Sequence, residues 1–133
     1  MSDNKYKIII AVESLLLAAA LGLGVWWYVH NHVVRKVDKM FEDGTVYQGE
    51  WLAGKMHGRG VLTLADGGTY EGEFFEGRKH GYGKFKDAEG VEYEGLWADD
   101  RYHGEGRYVT QKGNVYEGKW NFGSLNEGKI TTQ

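Results

Sequence analysis

The sequence predicts a mainly β protein, an antiparallel β-meander of about eight short strands, with one N-terminal transmembrane α-helix. Two observations support this prediction. The pattern tyrosine, any residue, glycine, any residue, aromatic recurs at one constant spacing, which is typical of an array of similar structural units. Its tyrosines are Tyr47, Tyr70, Tyr93 and Tyr116. Ahead of this array, residues 8–29 form an apolar run in which Glu13 is the only charged side chain.

The two parts of the chain also differ in charge. Residues 1–40 carry five basic and three acidic side chains, a net charge of +2, whereas residues 41–133 carry 11 basic and 16 acidic side chains, a net charge of −5. A domain with this charge is not expected to bind nucleic acid, because that binding relies on lysine and arginine to neutralise phosphates. The chain has no cysteine, which excludes a disulfide, a thiol nucleophile and a thiolate metal site.

Residues 8–29 are predicted to form the transmembrane helix, after an N-terminal tail of residues 1–7. A helix of that length spans roughly 33 Å, enough to cross the hydrocarbon core of a bilayer. Aromatic and basic residues follow its apolar part, as is typical of a membrane interface. These candidate membrane-interface contacts are Trp26, Trp27, Tyr28, Arg35, Lys36 and Lys39.

A cleaved signal peptide is the main alternative for this run. The run is longer than the ~7–15 residues of a usual signal core, and it ends in bulky aromatic residues instead of a small-residue cleavage site. A buried core helix is a second alternative, although the rest of the chain offers little to enclose it. We therefore expect a single-pass membrane protein, joined to the next domain by a juxtamembrane linker of residues 30–40.

Glu13 is a candidate contact with an intramembrane partner. A carboxylate at this depth is costly unless it reaches water, is protonated or finds a partner, and the sequence is compatible with a residue near the interface as well as with a partner contact. The basic residues on the two sides of the helix nearly balance, so they do not orient it.

Residues 41–132 form the predicted repeat domain, in four units at 41–63, 64–86, 87–109 and 110–132. Each unit contains two turns, and the glycines there supply the positive φ that tight hairpin connections need. Asp100 replaces the glycine of the second turn in the third unit and is expected to loosen it. Strand alternation places each tyrosine, its glycine and the next aromatic on one face, where we expect the glycine to leave room for rings of the next unit. Acidic residues lie on the opposite face, where Lys84 and Arg107 of returning strands could pair with them.

The segment Tyr-x-Gly-x-Trp followed by Gly-Lys-x-His-Gly-x-Gly resembles the MORN repeats, whose usual unit has the same length as the units of this chain. The resemblance covers about residues 41–132. The fourth unit departs from the pattern at Ser124, Asn126 and Gly128, as a terminal capping unit would. The resemblance implies an array of hairpins used for contact with membrane lipid or for protein scaffolding. It also implies an intracellular location, with the repeat domain on the cytoplasmic side.

The candidate interaction surface is the ladder of aromatic residues contributed by the four units. Two interpretations remain open: the ladder is packing alone, or it is packing that also presents a binding surface. Its members are Tyr47, Trp51, Tyr70, Phe74, Tyr93, Trp97, Tyr116 and Trp120.

Histidine and glycine also recur with the period, at His57, His80 and His103 and in the Gly-x-Gly that follows each of them. A residue that every unit repeats is expected to meet a local structural need, whereas a catalytic site requires an asymmetric cluster. The Gly-x-Gly segments are not phosphate loops, because no helix follows them. We therefore expect no catalytic residue, no metal and no cofactor.

The sequence favours a membrane-anchored, non-catalytic interaction or scaffold module next to the bilayer, compatible with a subunit of a larger membrane assembly. The expected partners are the lipid bilayer, through residues 8–29, and a protein near the membrane; the oligomeric state is left open. A phospholipid-binding attachment module is the alternative. The charge of −5 on the domain disfavours it, because anionic lipid attracts lysine and arginine.

Overall fold

The computed structural model of the chain describes residues 21–132, which belong to two units, one ending at Val33 and one beginning at Val34. In the first unit, residues 21–32 are helical. Among the described residues, no helix combines the length and apolar character needed to cross a bilayer. The transmembrane helix predicted over 8–29 is therefore not supported by this part of the chain, and its first part, residues 8–20 with Glu13, lies outside the described residues.

The second unit is one open antiparallel sheet in which nine described strands follow one another in chain order. The strands are β1 (Arg35–Met40), β2 (Val46–Leu52), β3 (Lys55–Thr63), β4 (Thr69–Phe75), β5 (Arg78–Lys86), β6 (Glu92–Ala98), β7 (Arg101–Val109), β8 (Val115–Asn121) and β9 (Ser124–Thr131). The mainly β meander is confirmed, with one strand more than the predicted eight. The additional strand is β1, within the segment 30–40 that the sequence suggests to be a linker.

Strand β1 is half of a repeat unit. Val37 of β1 faces Gly49 of β2, and one full period further along the chain Gly60 of β3 faces Gly72 of β4 in the same register. The period of the array therefore already includes β1. No sequence motif marks it, because β1 contains none of the tyrosine, glycine or histidine residues by which the other units are recognised.

The turn inside each hairpin has positive φ at both central residues, as type I′ turns require. The first pair is Ala53 and Gly54, with φ of 48° and 79°. Asp100 has a φ of 65°, and its carboxylate accepts a hydrogen bond from the backbone N–H of Lys79 at 2.9 Å. This bond offsets the backbone strain, so the third turn keeps the conformation of the others despite the loss of the glycine.

Backbone hydrogen bonds also join successive units at these turns. The Gly77 amide donates to the carbonyl of Met56 at 2.9 Å, the Asp100 amide to Lys79 at 3.1 Å and the Gly123 amide to Tyr102 at 2.8 Å. These three hairpin turns are therefore each bonded to the returning strand of the preceding unit. These bonds fix the stacking of the units at one margin of the sheet.

The fourth unit keeps the register of the array although its hairpin is shorter. Gly118 faces Gly128 across β8 and β9, as Gly95 faces Gly106 across β6 and β7, even though the first two glycines lie closer together in the chain than the second two. The bulge opposite the aromatic residue is correspondingly shorter in this unit. The glycine that is displaced in the sequence consequently occupies its usual place in the sheet.

Candidate functional site

The aromatic ladder forms a continuous row of rings on one face of the sheet. Phe74 lies 5.0 Å from Tyr70 of its own unit and 5.2 Å from Tyr47 of the preceding unit, both edge to face. Trp97 repeats this arrangement, with centroid distances of 5.2 Å to both Tyr70 and Tyr93. Phe74 and Trp97 are thus each held between two tyrosines of the ladder and link neighbouring units, a geometry that aromatic pairs favour.

Most of the predicted interaction surface is the core of the protein. The buried members are Tyr47, Tyr70, Phe74, Tyr93, Trp97 and Trp120. Trp51 and Tyr116 are half-buried. The ladder takes the place of the second layer that a one-layer sheet lacks.

The glycines of the ladder make room for the tyrosine of their own unit, and not for rings of the next unit as the sequence suggested. Gly72 and Gly83 face each other across β4 and β5, and the ring of Tyr70 lies on this pair. A Cβ atom at Gly83 would approach Cε2 of Tyr70 to 2.5 Å. The Tyr70 hydroxyl donates to the carbonyl oxygen of Glu73 at 2.9 Å, which fixes the ring over the glycines.

Burial raises the pKa of the tyrosines on this face. The pKa is about 12 for Tyr47, Tyr93 and Tyr102, and that of Tyr70 is raised further, with desolvation the largest cause in each case. These hydroxyls remain neutral at physiological pH. Tyrosines in this state serve as packed core residues and not as a general acid or base.

Lys79 extends into the ladder from β5, at the position that Met56 and Tyr102 occupy in neighbouring units. Its Nζ lies between 4.9 and 5.4 Å from the centroids of three rings, those of Phe85, Trp97 and Tyr70. Burial lowers the pKa of the ammonium group, while the nearby charge of Asp100 opposes that shift. Cation–π attraction stabilises the ammonium group where little water reaches it.

The N-terminal end of the ladder is covered by Lys39 of β1. Its Nζ lies 4.6 Å from the Trp51 ring and 5.2 Å from the Phe41 ring. Arg35 and Lys36, predicted with Lys39 as membrane-interface contacts, also lie on β1. Of these three basic residues, Lys39 thus packs against aromatic rings of the sheet.

A groove of about 980 Å³ lies on the opposite, polar face of the sheet, across β1 to β5. Its charged lining has both signs, with the basic residues Lys36, Arg59 and Lys84 and the acidic residues Asp38, Glu50, Glu71 and Glu73. Tyr82 adds an aromatic ring that is 47% exposed. Sequence reasoning missed this groove, because strand alternation places these side chains on one face without indicating that the face is concave.

Charges of alternating sign cross the polar face from strand to strand. Glu71 faces Lys84, Lys84 faces Glu94, and the row continues through Arg107 and Glu117 to Lys129. The Lys84 Nζ lies 3.1 Å from Glu94 Oε1, the kind of pairing that alternation suggested. Hydrogen bonds from the Tyr82 hydroxyl and from Lys84 lower the pKa of the Glu94 carboxyl.

The three histidines lie beside the hairpin turns, against exposed phenylalanines. His57 and His80 flank Phe75 at 5.7 and 5.8 Å, and His103 lies 4.6 Å from Phe122. Over residues 21–132, no three His, Asp or Glu side chains are arranged to hold a metal ion. Each of these three histidines thus packs against a phenylalanine beside a hairpin turn.

The helix 21–32 exposes apolar side chains around its circumference. Its more than half-exposed apolar residues are Leu21, Leu23, Val25, Trp26, Trp27 and Tyr28, the last three being predicted membrane-interface contacts. Trp26 stacks on His30 at 5.2 Å and Tyr28 on His32 at 4.5 Å. An exposed apolar surface of this kind usually marks contact with a membrane or another protein.

The class of protein that these features define is a one-layer β-repeat protein, built from successive hairpins with a row of aromatic rings as its core. The family model for the MORN repeat matches residues 47–69, 70–91 and 93–115, about half of the chain. The chain belongs to the MORN-repeat family. Three units are matched, whereas the sequence predicts four; the hairpin of β8 and β9 continues the sheet beyond the last match. No curated protein matches the chain at a significant level.

Proposed function

We propose that this chain is a membrane-anchored, non-catalytic interaction module that presents its MORN sheet beside the bilayer, as a subunit of a larger membrane assembly. The groove on the polar face of the sheet carries this proposal. It is assigned to a protein partner.

The charges of the groove fit a protein segment better than an anionic lipid headgroup. Four acidic side chains line it against three basic ones, so a phosphate group would meet more repulsion than attraction. A polypeptide carrying both signs of charge could complement both sets. The exposed ring of Tyr82 adds an aromatic anchor of the kind enriched at protein interfaces.

In this proposal the ladder and the groove have separate roles. A partner could reach the buried rings only if the sheet opened, whereas the groove is accessible as it stands. The ladder therefore stiffens the sheet from behind, and the partner binds on the polar face.

The anchoring part of the proposal rests on the apolar run 8–29 and on the exposed apolar side chains of the helix 21–32. Removal of such side chains from water is favourable at roughly 25 cal/mol per Å². A bilayer would provide that environment. By the resemblance to intracellular repeats of this family, the sheet is assigned to the cytoplasmic side.

Site-specific photocrosslinking tests the groove. A photoreactive phenylalanine is placed at Tyr82 in the groove and, as a matched control, at Glu105, the equivalent position of the next unit outside it. We expect a discrete crosslinked adduct from the Tyr82 variant in intact membranes and none from the Glu105 variant. Equal adducts from both positions, or none from either, would contradict the assignment.

Charge reversal then tests whether the groove charges bind the partner. Glu71→Lys should remove the adduct formed from Tyr82, whereas Glu117→Lys, the same change at the equivalent position in the fourth unit, should leave it intact. Both residues are exposed and face a lysine, and Glu117 also faces Arg107, so any loss of folding from like charges should be at least as large in the control variant. Retention of the adduct in Glu71→Lys would show that the groove charges are not used.

Alkaline carbonate extraction tests the anchor. The chain is expected in the membrane pellet, and the variant Leu16→Arg with Leu17→Arg in the supernatant, because charge within a spanning segment is costly. Protease treatment of sealed vesicles then reports the side on which the sheet lies. A parent chain released by carbonate would refute the anchor and leave the groove assignment to its own test.

A further inference from the structure

The outer edge of β9 is an open end of the sheet. β9 pairs with β8 on one side, and no strand among residues 21–132 pairs with the other. Seven of its eight residues are exposed, Ile130 at 60%. Such an edge offers unpaired backbone donors and acceptors to another strand.

The side chains of β9 continue two patterns that cross the sheet. From β2 to β9 every strand pair places a glycine opposite a glycine, and Gly128 ends this row. On the polar face beside it, Lys129 faces Glu117 and Glu127 faces Lys119. One acidic and one basic residue thus flank the last glycine.

We propose that two copies of this chain pair through β9, antiparallel, about a two-fold axis at Gly128. Gly128 then faces Gly128 of the second copy, and Glu127 faces Lys129 of the second copy twice, once on each side of the axis. The row of glycines and the alternation of charge both continue across the junction. A two-fold axis normal to the sheet also keeps the polar faces of the two copies on the same side.

The opposite edge of the sheet is self-complementary only in part. Strand β1 carries three basic residues and one acidic residue. Antiparallel pairing about Val37 would place Lys36 opposite Asp38 of the second copy, but it would also place Arg35 opposite Lys39, and like charges directly opposite each other are destabilising. Pairing through β9 also leaves the groove of each copy free, because the groove lies on β1 to β5. The pairing is therefore independent of the partner assigned to the groove.

Disulfide trapping in the full chain tests the contact and its register. The protein has no cysteine, so Glu127→Cys and Lys129→Cys each introduce one exposed thiol. Directly opposite residues have Cα atoms about 4.5–5.5 Å apart, within the range a disulfide spans, whereas pairs two residues out of register do not. Under mild oxidation the mixture of the two variants should give a dimer of twice 15.0 kDa, and either variant alone should not.

Charge exchange across the junction provides a second test. Glu127→Lys and Lys129→Glu should each weaken dimerisation about tenfold in sedimentation, because each creates two like-charge pairs. The double variant should recover it, and Lys112→Glu, the same charge change on an exposed turn, should have no effect. Disulfides between identical positions, or an absence of disulfide in the mixture, would each overturn the proposal. The trapping result reports on β9 itself, even where residues 8–29 also hold copies together.

Discussion

Gly83→Ala tests the role of the glycine pairs directly, because it adds one methyl group beneath the ring of Tyr70. The new Cβ would lie 2.5 Å from Cε2 of the ring, where ordinary contact begins at 3.4 Å. Gly83 does not have a positive φ, so the substitution adds crowding without backbone strain. The ring or the strand must therefore move by about 0.9 Å to restore normal contact.

The expected cost follows from what holds the ring in place. Phe74 and Trp97 pack against Tyr70 at 5.0 and 5.2 Å, and its hydroxyl bonds to the Glu73 carbonyl at 2.9 Å. Overpacking a core costs about 1–3 kcal/mol, and the loss of a buried hydrogen bond costs about 1–3 kcal/mol. We expect a loss of about 3 kcal/mol in the free energy of unfolding, a large part of the ~5–15 kcal/mol of an average domain.

Urea unfolding of the full chain in mild detergent, followed by tryptophan fluorescence, measures this loss. Gly54→Ala is the control, because Gly54 has a φ of 79° with no atom near its missing Cβ, and should cost only about 1 kcal/mol. In a double-mutant cycle, Tyr70→Leu should relieve more than about 1 kcal/mol of the Gly83→Ala penalty, on the order of the couplings seen between contacting residues. A Gly83→Ala cost no greater than that of Gly54→Ala, or strict additivity with Tyr70→Leu, would refute the proposed packing.

Three further predictions concern the turns, the ladder and the tyrosines. Asp100→Ala should lower stability by about 1 kcal/mol more than Asp100→Gly. Both variants lose the bond to the Lys79 amide, but only glycine adopts a φ of 65° without backbone strain. Equal melting temperatures of the two variants would contradict this. Trp97→Phe removes the indole N–H bond to the Gly83 carbonyl at 3.2 Å and should cost about 1–2 kcal/mol in thermal melts, without loss of the sheet signal in circular dichroism. Unfolded tyrosines ionise near pH 10, whereas the buried Tyr47, Tyr93 and Tyr102 ionise near 12, so the folded state binds more protons and stability should fall as pH rises through that window. The chain has nine tyrosines, and a tyrosinate absorbance that reaches its full value for all nine before the sheet signal is lost would contradict this.

The sequence predicts those parts of the fold that depend on local chemistry. Repeated tyrosine, glycine and aromatic residues determine strands, turns and the buried face, because alternation and positive φ are properties of a few adjacent residues. The turn at Asp100 shows the limit of this reasoning. A glycine is absent there, and the compensating bond comes from the Lys79 amide, 21 residues away in the chain.

The parts that were not predicted depend on contacts between units. Strand β1 has no motif of its own and is ordered by pairing with β2, so its sequence looks like a linker. Gly83 is needed for the tyrosine of its own unit because it faces Gly72 across two strands, which the spacing alone does not reveal. The groove likewise combines side chains of five strands, β1 to β5, while its charged residues appear in the sequence only as a solvent-exposed face.

The odd number of described strands has a consequence for growth of the sheet. Because each strand is antiparallel to the next, β1 and β9 run in the same direction. A second copy added by simple translation would bring its β1 beside β9 as a parallel pair. Turning that copy over would restore antiparallel pairing, but its aromatic face would then lie on the same side as the polar face of the first copy. Head-to-tail contacts that do not close produce fibres. With the unmarked half unit at its start, the described sheet therefore has no head-to-tail junction that is both antiparallel and matched in its faces, whereas an even number of strands would have one.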